Sequence, residues 1–253
     1  LLTDTVSYCT AHYGALPYTE EYPLNIVMTS AHMMGGGAAD NLSYMGELFF
    51  SEDNLKDPSK GASAEEVIAH EIVHQWWGSQ CPIMDLENTD WSAEALTCYT
   101  TYRMMKEWKG ADYAQQFHVD QWQTRYDDMM AQFDLRNPQY ISRLSSIQAL
   151  IFDASTYGKA PLQVKQAETL VGGEAAMDAI LQTLFQQGGT EMPPYVTWQD
   201  FLDACGLTED QLAVTQESVE AAYATVIQNM KDSRVSLTAA KNALTQAQDD
   251  LRL

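Results

Sequence analysis

Positive charge is scarce in this chain: 14 Lys and Arg stand against 35 Asp and Glu, a formal net charge of -21 over 253 residues. That balance argues against nucleic acid and against anionic membrane surfaces as partners. Basic or free-amine substrates stay open, beside the simpler reading of a solvated acidic exterior. Cysteine is sparse too. Cys9, Cys81, Cys98 and Cys205 show no C-x-x-C spacing, which suggests neither a zinc ribbon nor a disulfide scaffold and leaves a single bridge open. No secretory leader and no membrane-length apolar run is visible. Internal repeats and low-complexity segments are absent. What remains, 45% hydrophobic and 10% aromatic, is the composition of a folded globular protein, long enough for one large domain or two modest ones.

Chemistry therefore has to come from particular residues. His70-Glu71-Ile72-Val73-His74, continuing as Gln75-Trp76-Trp77-Gly78, is the most informative stretch. Two histidines four apart on a helix share a face and can reach one metal ion, with Glu71 beside them. This is the H-E-x-x-H arrangement of zinc hydrolases, whose glutamate acts as general base. A hydrogen-bonded pair of buried histidines would look the same in sequence. The helix is signalled by a capping box of Ser63 and Glu66, by Gly78 as a stop, and by apolar Val67, Ile68, Ile72, Val73 and Trp76.

After His74 come nineteen residues and then Glu94, in Asp90-Trp91-Ser92-Ala93-Glu94. Asp90 or Ser92 is placed to cap a helix there, with Glu94 in its first turn. A third ligand from a neighbouring helix leaves one zinc position open, as catalytic zinc requires. Asp85, Glu87 and Asp90 are the rivals for that role, and a helix-start glutamate favoured by the macrodipole is the plain alternative.

These motifs resemble the M1 family of zinc aminopeptidases, gluzincins related to thermolysin. The aromatic pair and glycine after His74 match the family, and Trp91 fits its tryptophan three residues before the glutamate ligand. The spacer before Glu94 is one residue longer than in the family, and Ala93 and Ala95 flank it in place of asparagine and glycine. Upstream, Gly37-Ala38-Ala39-Asp40-Asn41 resembles the Gly-x-Met-Glu-Asn strand that binds the substrate's amino terminus. Downstream, Thr156-Tyr157-Gly158-Lys159 resembles the segment whose tyrosine stabilises the oxyanion. Asp40 is one methylene shorter than the family's glutamate, and Ala39 replaces a methionine that walls the first substrate pocket. The resemblance covers residues 1–205.

It implies an α+β, thermolysin-like zincin catalytic domain with peptide substrates and zinc held by His70, His74 and Glu94. The zinc lowers the pKa of a bound water to about 7, Glu71 takes the proton, and Tyr157 stabilises the developing charge. Residues Gly37, Ala38, Ala39, Asp40 and Asn41 form the substrate strand. Removal of N-terminal residues is the expected activity. A zinc endopeptidase, or a non-catalytic peptide-binding module retaining the fold, is the alternative.

The coarse pattern agrees. A helix is expected over residues 1–13 with Val6, Cys9 and Tyr13 on one face, a strand at Leu24–Thr29, and another at Glu47–Phe50. The sheet-containing part ends near residue 60, and helices dominate 61–205, including Ser92–Trp108, Ala111 to about Phe133, and a capped helix from Thr197 to near Gly206. Residues 206–253 read as a C-terminal helical hairpin. The chain begins at Leu1, and its acidity suggests the catalytic portion of a larger, secreted or membrane-tethered parent with further domains. His12, His32 and His118 carry no role legible in sequence. Met33, Met34, Met129 and Met130 read as core or cleft lining.

Overall fold

Helix α1, Leu2–His12, opens the fold with Thr5, Tyr8 and Cys9 buried, and it stops at Gly14, whose φ of +124° suits glycine. Val6 packs at the margin of the core, whereas Cys9 and Tyr13 are wholly buried. The computed structural model describes residues 1–30, 35–50, 64–88, 90–132, 153–189 and 194–212. Three strands follow α1: β1 Asn25–Thr29, β2 Gly36–Ala39 and β3 Leu42–Gly46. The sheet order is β1-β3-β2, with β1 parallel and β2 antiparallel to β3. β2 is therefore an edge strand.

Glu47–Phe50 is not the strand expected from its apolar run but a 3₁₀ turn. The β1–β3 ladder ends at Thr29 with Gly46 and the β2–β3 ladder at Gly36 with Met45, so no strand among the described residues pairs with residue 47. Without a partner ladder the segment satisfies its own backbone by a tight turn.

The first long core helix is α2, Ala64–Val73. It ends earlier than the Gly78 stop suggests. The His74 N–H still bonds the His70 carbonyl at 3.2 Å, but the next amides bond three residues back: Gln75 to Ile72 and Trp76 to Val73. Tightening into 3₁₀ bonds is a common helix ending, and Gly78 at φ +117° then reverses the chain. Ile68, Ile72, Val73 and Trp76 are buried as expected, and Val67 is half-buried. Ser63, the expected cap, lies outside the described residues.

Helix α3, Ala93–Lys109, crosses α2 and is buried along most of its length. Trp77 joins the two helices, donating from Nε1 to Thr100 Oγ1 at 2.9 Å. Next come α4, Ala111–Ala114, a π-helical turn Gln115–Val119, and α5, Asp120–Gln132, in one continuous run. A second π turn, Ser155–Lys159, leads into α6, Ala160–Val171, and is followed by α7, Glu174–Gln187, and α8, Trp198–Cys205. The Thr197–Asp200 capping box expected for α8 is present, with Asp200 N bonding Thr197 Oγ1 at 3.1 Å.

A 3₁₀ turn, Glu209–Leu212, closes the compact unit Leu1–Leu212. The expected hairpin beyond it lies outside the described residues, as do His32, Met33, Met34 and the side chains of Met129 and Met130. All four cysteines are free thiols, which closes the question of a bridge. No helix among the described residues is long and apolar enough to cross a membrane.

Candidate metal centre and cleft

His70 and His74 project from the end of α2, their rings 4.8 Å apart and nearly perpendicular. Glu94, the second residue of α3, reaches between them. Its Oε2 lies 3.0 Å from His70 Nε2, and its Oε1 lies 3.4 Å from His74 Nε2. One ligand atom from each of the three falls within 4.8 Å of the others. Two imidazole nitrogens and a carboxylate are the donor set of a catalytic zinc site, with a fourth position left for water or substrate.

The surroundings fit a metal. His74 Nδ1 faces the Trp77 carbonyl at 3.1 Å and Thr97 Oγ1 at 3.2 Å. A carbonyl only accepts, so Nδ1 carries the proton and the neutral ring presents the Nε2 lone pair to the site. Burial works against the Glu94 carboxylate, but hydrogen bonds and charge from both histidines outweigh it, holding the group well below the usual carboxylate range and thus in ligand form. Burial also depresses His74, and Glu94 more than compensates, so its pKa is raised.

Glu71 behaves differently. Its side chain is buried, burial raises its pKa, and the nearby histidines offset only part of that. Its Oε2 has no hydrogen-bond partner. A buried carboxylate oxygen without a partner is costly, and Glu71 lines a cavity of about 540 Å³ that is also bounded by His70, His74, Glu94, β2 and Tyr157. Tyr157 sits on the π turn before α6. Its hydroxyl is raised by burial and by its hydrogen bond to Glu94, and Arg125 Cζ lies 5.9 Å from its ring centre. Gly158 beside it lies so close to α5 that a Cβ would come within 3.0 Å of the Trp122 carbonyl.

The remaining wall is the edge strand. Gly37, Ala38, Ala39 and Asp40 border the cavity, together with Gly36 and Tyr44. A Cβ at Gly36 would come within 2.5 Å of Glu71, so glycine is what permits this strand to lie against the carboxylate. Asn41 does not border the cavity. At φ 51° it turns the chain, its N–H bonding the Tyr18 hydroxyl at 3.0 Å and its carbonyl accepting from Asn25 N at 2.7 Å.

The arrangement of three metal donors, a buried carboxylate and a sheet edge around one cleft matches what sequence comparison finds. The Peptidase family M1 domain matches residues 5–223. The chain belongs to peptidase family M1. Among solved structures it resembles native yeast LTA4 hydrolase, with a TM-score of 0.58 at 17% identity over 80% of this chain and 31% of that one. It also resembles a mutant form of an M1 zinc metallopeptidase from Deinococcus radiodurans, with a TM-score of 0.53 at 18% identity over 84% of this chain and 43% of that one. The chain thus spans less than half the length of either structure, and the likeness is one of α+β, thermolysin-like fold. No curated protein sequence matches it.

In this M1 chain the rival ligands are engaged elsewhere. Asp85 accepts from the backbone of Glu87, Asn88 and Trp198, and Asp90 pairs with Lys159 at 2.8 Å. Glu87 is exposed. Ser92 occupies the cap position of α3, yet its hydroxyl makes no capping bond. Trp91 donates to the Val196 carbonyl and stacks among Trp198 and Phe201, anchoring the loop that delivers Glu94. Several site residues were not read as such from the sequence: Gly36, Tyr44, Ser79, Gly78 (read only as a helix stop and family match) and Ala93 (read only as a neighbour of Glu94) line the cleft, and Thr97 orients His74. Only Thr97 was within reach, three residues after Glu94 on the same helix.

Proposed function

We propose that this M1 chain hydrolyses peptide bonds with zinc held by His70, His74 and Glu94, releasing residues from free amino termini. The observation that carries the reading is the unpartnered Glu71 Oε2 beside the His70, His74 and Glu94 donors in one cleft. When bound there, zinc polarises a carbonyl oxygen and makes a water acidic enough to deprotonate near neutral pH.

The chain's own residues supply the rest. The Glu71 carboxylate accepts the proton of a water at the cleft and returns it to the leaving amine nitrogen, and its raised pKa suits a group that works in both directions. The Tyr157 hydroxyl donates to oxygen that gains charge as the carbonyl is attacked. The free edge of β2 takes an extended peptide as a further strand through main-chain hydrogen bonds. Asp40, at the end of that strand, receives the ammonium of the first residue.

The test is a digest of paired peptides that differ only in a free or acetylated amino terminus, with zinc present and Glu71→Gln as control. Stepwise loss from the free peptides alone supports aminopeptidase action. Internal cuts in both peptides move the reading to an endopeptidase, and no cleavage beyond the control moves it to a peptide-binding module.

A further inference from the structure

We propose that Tyr22 and Gln80, with Tyr18, are positioning residues that aim the Asp40 carboxylate at a cationic amino terminus. This rests on the reading of Asp40 as the amine anchor.

Some carboxylates in the fold are held by cations, as Asp90 is by Lys159 and Asp178 by Arg103. Asp40 is held by neutral groups. Gln80 Nε2 donates to its Oδ1 at 2.7 Å, the Tyr22 hydroxyl donates to its Oδ2 at 3.1 Å, and the Tyr18 hydroxyl lies 3.2 Å from Oδ1. The single Tyr18 proton goes to the nearer Gln75 Oε1, so the donors to Asp40 are Gln80 and Tyr22; both are neutral, and among the described residues no Lys, Arg or His pairs with Asp40. Neutral donors fix a carboxylate's orientation without cancelling its charge, which stays available for a substrate ammonium.

The cradle is also tied to the catalytic helix. The Tyr18 hydroxyl lies 2.5 Å from Gln75 Oε1, and the Gln75 amide donates to the Ala39 carbonyl at 3.0 Å. Gln80 follows the metal-binding residues by one turn of chain, while Tyr18 and Tyr22 lie in the loop before β1. Asp40 is thereby registered to both β2 and the end of α2. A side chain one methylene short of glutamate has little reach of its own, so its aim depends on these partners. Preorganisation of this kind raises affinity by removing the cost of ordering the group on binding.

The experiment is calorimetric binding of trialanine amide and its N-acetyl form to the full, zinc-loaded chain carrying Glu71→Gln to prevent turnover. The expected result is a preference for the free amine that falls about fivefold in the Tyr22→Phe, Gln80→Met double variant, the size of one exposed charge-assisted hydrogen bond, with N-acetyl affinity unchanged. Equal weakening of both probes, or an unchanged preference, overturns the cradle and leaves Asp40 as the anchor. If Asp40→Asn keeps the preference, or none exists to begin with, the anchor reading itself falls and the cradle with it.

Discussion

Gly36→Ala places one methyl group against the proposed general base. A Cβ built there comes within 2.5 Å of Glu71 Cγ and Oε1 and 2.6 Å of Cδ. Non-bonded carbon contacts settle at about 3.5–4.0 Å, so the Glu71 side chain must retreat by about 1 Å. The clash is with a movable side chain, and the backbone of β2 and α2 can stay in place. Replacing glycine with alanine also narrows the unfolded ensemble, worth about 0.4–1 kcal/mol where the native backbone permits it. His70, His74 and Glu94 are untouched. The expected variant therefore keeps its Tm and its zinc stoichiometry but loses about 100-fold in kcat, the cost of a reacting group misplaced by about 1 Å. That loss corresponds to about 2.7 kcal/mol on the barrier. Steady-state kinetics on a free-amine peptide, metal analysis and thermal melting together check it. Unchanged kcat, or loss of zinc and fold along with activity, would refute the reasoning. Gly37→Ala is the internal comparison, because its Cβ meets the Tyr44 ring and hydroxyl and leaves Glu71 where it is.

Glu71→Gln should abolish turnover while metal analysis still finds zinc, and its melting point should not fall, because the substitution removes a buried charge with an unpartnered oxygen. Thr97→Val removes one of the two groups that orient His74 Nδ1, and competition with a chelator should show zinc affinity weakened by about tenfold; equal affinity would assign the orientation to the Trp77 carbonyl alone. Glu66, one turn before His70 and 3% exposed, answers to pH. Burial would raise its carboxyl, but His118, the Tyr113 hydroxyl and Lys109 outweigh this and hold it below the ordinary value. Its stabilisation is then present above the unfolded carboxylate range near about 4.3 and is lost as pH falls through the folded value. Urea unfolding of the metal-free protein should show Glu66→Gln destabilised by about 1–3 kcal/mol at neutral pH, with the gap closing in acid; a pH-independent gap counts against the pairing.

The metal-binding helix was legible because its information is local. Four-residue spacing places His70 and His74 on one face, and the apolar residues between them specify which face is buried, whatever surrounds the helix. Glu94 was legible as a helix-start carboxylate at a suggestive distance along the chain, and the thermolysin-like order of small sheet and then helices followed from the same motifs. The end of α2 at Val73 and the 3₁₀ turn at Glu47–Phe50 were not, since each depends on where a neighbouring element stops. Only the tertiary structure decided which of four nearby acids meets the histidines. Asp85 and Asp90 are chemically equal to the task, and they are disqualified by hydrogen bonds to Trp198 and Lys159, residues far along the chain. The same holds for the cleft. That Gly36 must lack a side chain because Glu71 lies against it, and that Tyr22 and Gln80 converge on Asp40, are facts of packing between segments tens of residues apart. Sequence periodicity reports how a residue faces its own element, and a cleft is made where separate elements face each other.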